Sequence, residues 1–124
     1  TSGSGYGSGG GGSGGSASNG GTGTIGGGGA GTTNSITGSS VTYAEGGDAG
    51  NGNPGASGGT NEGDGGGGAG QTATSGNGGS GVVILRISTS DYNQKTGITG
   101  TYSATAVSSD TVVKWTAGTG TITF

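Results

Sequence analysis

The sequence predicts a non-α fold in two parts. Residues 1–81 read as a bundle of short polyglycine II helices, the polyproline II-type conformation built from glycine. Residues 82–124 read as a small antiparallel β region packed with that bundle as one unit. Three observations predict this. Glycine supplies 39 of 124 residues, against an ordinary share of about 7%, and all but Gly97, Gly100, Gly118 and Gly120 precede residue 82. The early glycines fall into local runs of period three. No segment carries apolar residues at the 3.6-residue helical period.

The runs are Gly9, Gly12, Gly15; Gly20, Gly23, Gly26, Gly29; and Gly46, Gly52, Gly55, Gly58, with Ala49 at the missing step. A polyproline II helix has three residues per turn and no internal hydrogen bonds, so a bare glycine edge lets neighbouring chains approach and bond through their backbones. Collagen uses the same repeat but needs one unbroken phase and abundant proline; here the phase slips and Pro54 stands alone. Short helices joined by turns would slip in this way, with turn chemistry at Asn19-Gly20, Asn51-Gly52, Asn53-Pro54 and Asn77-Gly78. Composition by itself fits a flexible Gly/Ser linker equally well. Ordering each residue costs on the order of 1–2 kcal/mol, and beyond alanines only Tyr6, Ile25, Ile36, Val41 and Tyr43 offer apolar burial. An ordered structure there must be carried by backbone hydrogen bonds.

Residues 34–44 interrupt the glycine and read as two extended pieces around Gly38-Ser39-Ser40. Val82 to Ile87 is apolar on both alternating faces until Arg86, the pattern of a strand covered on both sides. Thr99–Val107 and Thr111–Ala117 flank Ser108-Ser109-Asp110, and Gly118-Thr119-Gly120 turns into Thr121–Phe124. Tyr102, Val113, Trp115, Ile122 and Phe124 are the expected small core, with Val83, Leu85 and Ile87 on one face packing toward Trp115 or Phe124. Essentially no α-helix is expected.

Composition removes most chemistry. Apolar residues are 23% and charged residues 7% of the chain, and His and Cys are both absent, which excludes an imidazole base, a thiolate nucleophile, disulfides and every Cys/His metal site. The net charge of -3 argues against nucleic acid and against an anionic membrane surface. No apolar run approaches the length of about 18 residues that spans a bilayer. The start Thr1-Ser2-Gly3 has neither Met nor a charged leader and reads as a processed product or a piece of a longer chain.

Gly50-Asn51-Gly52-Asn53-Pro54-Gly55 fits the dinucleotide fingerprint, but such matches arise by chance at this glycine density, and no strand precedes it or helix follows. Glu45-Gly-Gly-Asp48 and Glu62-Gly-Asp64 are similar in spacing to calcium-binding glycine repeats. The apolar residue such repeats need after each turn is replaced by Pro54 and Gly66, so these acids read as solvated turn residues. No catalytic set, cofactor site or metal site is expected. Exposed tyrosines would serve as stacking platforms for sugars or partner surfaces; Trp115, Tyr102 and Tyr43 read as core instead. The candidate surface-contact residues are Tyr6, Tyr92, Asp48, Asn51 and Asn53. The candidate self-association residues are Thr121, Ile122, Thr123 and Phe124, a short apolar strand with no charge to blunt its edge.

Three blocks in order, Ser35-Ile-Thr-Gly-Ser-Ser-Val-Thr-Tyr43, Gly78-Gly-Ser-Gly-Val-Val-Ile-Leu-Arg86 and Trp115-Thr-Ala-Gly-Thr-Gly120 with the strand after it, resemble the glycine-rich tail-fibre and adhesin domains of bacteriophages. The resemblance spans most of residues 20–124. It departs from that pattern at Ile87, where Tyr is expected, and in its shortened glycine runs. It implies a polyglycine II bundle and, in some members, a receptor-recognising fibre tip whose turns contact the bacterial surface. The expected function is therefore a non-enzymatic adhesive or structural domain on a virion exterior or outside the cell. Its partners would be a bacterial surface receptor or other copies of itself in a homo-oligomer. The alternative is a subunit of a self-assembling extracellular filament.

Overall fold

A computed structural model of the chain describes residues 5–124; the start Thr1-Ser2-Gly3 lies outside the described residues. The fold is non-α, with small antiparallel sheets and, among the described residues, a single short helix. The chain divides into two compact units, Thr1–Thr33 with Thr42–Gly81, and Asn34–Val41 with Val82–Phe124.

Most of the first unit is neither helix nor strand. It is held by backbone hydrogen bonds between segments distant in sequence, and the donors recur three residues apart. Gly26 and Gly29 donate to the carbonyls of Gly7 and Gly10, at 3.1 and 2.9 Å. Gly46 and Ala49 donate to Gly29 and Gly26, at 2.8 and 2.9 Å. Gly55 and Gly58 donate to Thr74 and Asn77, and Gly76 and Gly79 to Gly67 and Asp64. Glycine is needed here for space. A Cβ on Gly55 would strike the Gly67 carbonyl, and one on Gly67 the carbonyl of Asp48. Gly52, in the same period-three run, is different: it sits in a turn at φ +65° with nothing near its missing Cβ. Asn77-Gly78, by contrast, is no turn, since the Asn77 carbonyl accepts the Gly58 N–H and its own N–H donates to Ser57 Oγ at 3.1 Å. The chain reverses instead near Gly21–Thr24, where each residue donates to the other's carbonyl. It turns again at 60–63, with Asn61 and Gly63 at positive φ, and at 70–73, where Ala73 donates to Gly70.

The interruption in the glycine forms β1 (Thr32–Asn34) and β2 (Val41–Tyr43), paired in a two-stranded sheet. Ile36 lies in the turn between them, where its N–H donates to Asn34 Oδ1 at 2.7 Å.

In the second unit β3 (Val83–Ser88), β5 (Thr101–Val107) and β6 (Asp110–Ala117) form an antiparallel sheet in the order β3-β6-β5. The two-residue turn Ser108-Ser109 joins β5 to β6, with Ser108 at φ +57°. The strand enclosed on both faces is β6, not β3. Val113 is 0% and Val112 4% exposed although they point to opposite faces, whereas Val83 is 66% exposed. Strand order contributes: β6 has a neighbour along each edge, so side chains of β3 and β5 flank its own on both faces, whereas those of β3 are flanked from one edge only. The residues around Gly38 lie against Val107, and Arg86 Nη1 donates to the Ile36 carbonyl at 3.4 Å. Arg86 also pairs with Asp110 at 2.8 Å.

A six-residue helix, α1 (Thr89–Gln94), is the exception to the expected absence of helix, and it packs on β3 and β6. Ser88 caps it, accepting from the Asp91 N–H at 3.1 Å while its hydroxyl donates to Asp91 Oδ2 at 2.7 Å. The spacing Ser-x-x-Asp was the sequence signal for it, a capping box in front of a segment too short and polar to show a period. Finally β4 (Gly97–Ile98) pairs with β7 (Ile122–Thr123). The expected five-residue core is smaller than the sequence suggested, because Tyr102 and Phe124 are 39% and 60% exposed. Trp115 is half-buried; its indole N–H donates to the Thr99 carbonyl at 2.9 Å and its ring lies 6.2 Å from that of Tyr102.

Candidate functional site

Residues 51–54 are exposed side chains on a backbone fixed from below. Ala49 and Gly50 are buried and donate to the carbonyls of Gly26 and Gly68, both at 2.9 Å. Gly50 approaches the Asn53 carbonyl so closely that a Cβ would overlap it. Gly52 makes the reversal, and Asn53 Nδ2 closes it on the Asn51 carbonyl at 3.1 Å. The turn is thus closed by its own hydrogen bond, and it presents two amide side chains beside Pro54.

Against this turn lies a concavity of about 110 Å³ lined by Gly5, Tyr6, Asn51, Gly52 and Gln71. The structure therefore brings together Tyr6 and Asn51, two of the five candidate contact residues. It combines a half-buried aromatic ring, two amides and no charged group. An aromatic ring beside neutral amides suits a neutral polar ligand, with the ring as platform and the Asn51 amide as donor and acceptor. Gln71 carried no sequence signal; it reaches the site only through the turn at 70–73.

Asp48 points elsewhere. It lines a second concavity of about 300 Å³ with Glu45, Asp64, Ser57 and several glycines. Asp48 Oδ1 accepts the Gly28 N–H at 2.7 Å; Asp64 accepts from Glu45 N–H through Oδ1 at 2.9 Å and from Gly59 N–H through Oδ2 at 3.1 Å. These carboxylates stand in for backbone carbonyls and complete the bonding of amides that have no main-chain partner. Among the described residues, no group of three or more acids is placed to hold a metal ion.

Tyr92 belongs to the other unit. One face of its ring carries Lys95 Nζ at 3.9 Å from the centroid, so that face is unavailable for stacking. Thr121–Phe124 is held along one side: Thr99 N–H donates to the Thr121 carbonyl at 2.9 Å, Thr121 N–H to Thr99 Oγ1 at 3.0 Å, and Thr96 N–H to the Thr123 carbonyl at 2.8 Å. Phe124 remains largely exposed and borders a concavity with Ile87, Asp91 and Gln94. No described helix is long and apolar enough to cross a membrane. No family model, no curated protein and no solved structure matches the chain.

Proposed function

We propose that this chain is a non-enzymatic adhesive domain of the bacteriophage tail-fibre type, working on a virion exterior, with a bacterial surface receptor as its partner. Its first unit is read as a polyglycine II bundle. Donors spaced by three and glycines whose missing Cβ is filled by a neighbouring carbonyl are what three-residue helices packed edge to edge require.

The observation that carries the reading is the Asn51–Pro54 turn beside Tyr6. A framework that spends its amides on itself has only its turns left to present, and this turn is fixed at its base with its polar side chains outward. Pre-ordered contact residues lose little entropy on binding, which favours recognition by a small surface. The test is saturable binding of labelled protein to candidate host cells, with Tyr6→Ala and Asn51→Ala reducing it. Binding that neither substitution changes would overturn the assignment of this turn.

A second reading, a subunit of a self-assembling extracellular filament, is favoured by Phe124, 60% exposed at the end of a strand paired on one side. Growth of the purified protein into particles of unlimited length, stopped by deleting Thr121–Phe124, would support the filament instead.

A further inference from the structure

β5 is a seven-residue edge strand with its outer side open. In a two-residue hairpin the closing pair, here Val107 and Asp110, is the hydrogen-bonded one. Alternation along the register then turns the backbone groups of Ala106, Ala104 and Tyr102 away from β6. Among the described residues, β5 makes no hydrogen bond outside its pairing with β6. Residues 101–106 are all exposed. Such edges are commonly blunted by Lys, Pro or inward charges, but Thr-Tyr-Ser-Ala-Thr-Ala-Val has none of these, and its one irregularity lies at the Thr101 end. The opposite edge of the sheet carries Arg86, and the other sheets have strands of two or three residues.

We propose that β5 is closed by β5 of a second copy of this chain, antiparallel about a two-fold axis at Ala104. The outward-facing residues permit few symmetric registers. The one centred on Ala104 uses all of them, setting Tyr102 against the partner's Ala106 and Ala104 against its own equivalent, with about six backbone hydrogen bonds formed. The side chains are complementary in that register. Each Tyr102 ring lies beside the small Ala106 of the other copy on one face, and Ser103 meets Thr105, hydroxyl to hydroxyl, on the other. The segment carries no charge, so the two copies meet without repulsion, which selects the chain itself over a charged partner strand. The interface is isologous and closes at two subunits. It goes beyond the receptor reading and stands whether or not the turns bind cells.

The chain has no Cys, so a single introduced thiol reports the register. Cα atoms of a hydrogen-bonded antiparallel pair lie about 5.5 Å apart, within disulfide range. Full-length Ala104→Cys should become a covalent dimer under mild oxidation. The unsubstituted protein should sediment as a dimer, and Ala104→Lys and Ala104→Pro should weaken that dimer by about tenfold or more, about 1.4 kcal/mol. The Pro variant loses no bond to β6 because the Ala104 N–H faces outward. The Lys variant keeps the backbone unchanged and opposes two charges at the axis. Trp115 emission checks that each variant is folded. A protein that remains monomeric at millimolar concentration would overturn the proposal and leave the edge to a strand of another protein. A dimer that ignores both substitutions and cross-links through Phe124→Cys but not Ala104→Cys would overturn it in favour of the C-terminal strand.

Discussion

Gly55 and Val113 are both buried, for opposite reasons. Gly55 is enclosed because it has no side chain: the Gly67 carbonyl fills the place of its Cβ. Val113 is enclosed because its side chain is the centre of a sheet with neighbours on either hand. The glycine-rich unit is held by direct contact between main chains, and its one isoleucine, Ile25, is exposed. The β unit is held in the ordinary way, by apolar burial across a paired sheet. Order in the glycine-rich unit rests on main-chain hydrogen bonds between distant segments rather than on a hydrophobic core, and that solution tolerates no Cβ at the contact.

Substitutions can break this comparison, and the largest effect is expected at Gly55. Gly55→Val forces a branched Cβ into a main-chain contact that cannot yield, and it should abolish protection of the Ala49 and Gly67 amides against hydrogen exchange. Unchanged protection of those amides would show that the contacts are not what holds the unit. In the β unit Val113→Ala should cost about 2 to 3 kcal/mol, from lost burial and the cavity left behind. Val83→Ala, at an exposed position of the same sheet, should cost less than about 0.5 kcal/mol. Equal losses at the two positions, measured by denaturant unfolding followed at Trp115, would contradict the central place of β6.

Asp64→Ala leaves the amides of Glu45 and Gly59 without an acceptor. Given partial exposure of the site, it should destabilise the glycine unit by about 1 to 2 kcal/mol. A shift in amide exchange confined to residues 45 and 59 would mark the carboxylate as a local bond only. Exchange accelerated also at Gly65 and Gly79 would show that it supports the lattice. The smallest effect belongs to Gly52→Ala, which meets no neighbour and should cost only the strain of its positive φ, about 1 kcal/mol. A loss as large as that of Gly55→Val would remove the distinction between turn glycines and contact glycines.

The distinction between Gly52 and Gly55 also marks how far the sequence could be read. Period three placed both in one run, and a period cannot say which member is in a turn. The hairpin around Ser108-Ser109 was legible because alternation and turn chemistry are local. Helix α1 was signalled only by Ser88 and Asp91. At the candidate site, Asn51 and Asn53 were visible as turn residues and Tyr6 as an isolated ring. Their neighbour Gln71 was not, because nothing local places it there.

The sequence by itself determined the class of the molecule. Without His or Cys, with 7% charge and with glycine crowded before residue 82, it left no imidazole or thiol to work with and demanded backbone bonding, since side-chain inventory and local period are properties of the chain alone. Only the tertiary structure decided which strand is central, which glycines are contacts, which turn meets Tyr6 and which edge stays open. Each of these depends on a partner distant in sequence. The apolar run at Val82–Ile87 could not reveal that β6 would take the middle of the sheet, because enclosure on both sides is set by where the neighbouring strands pair.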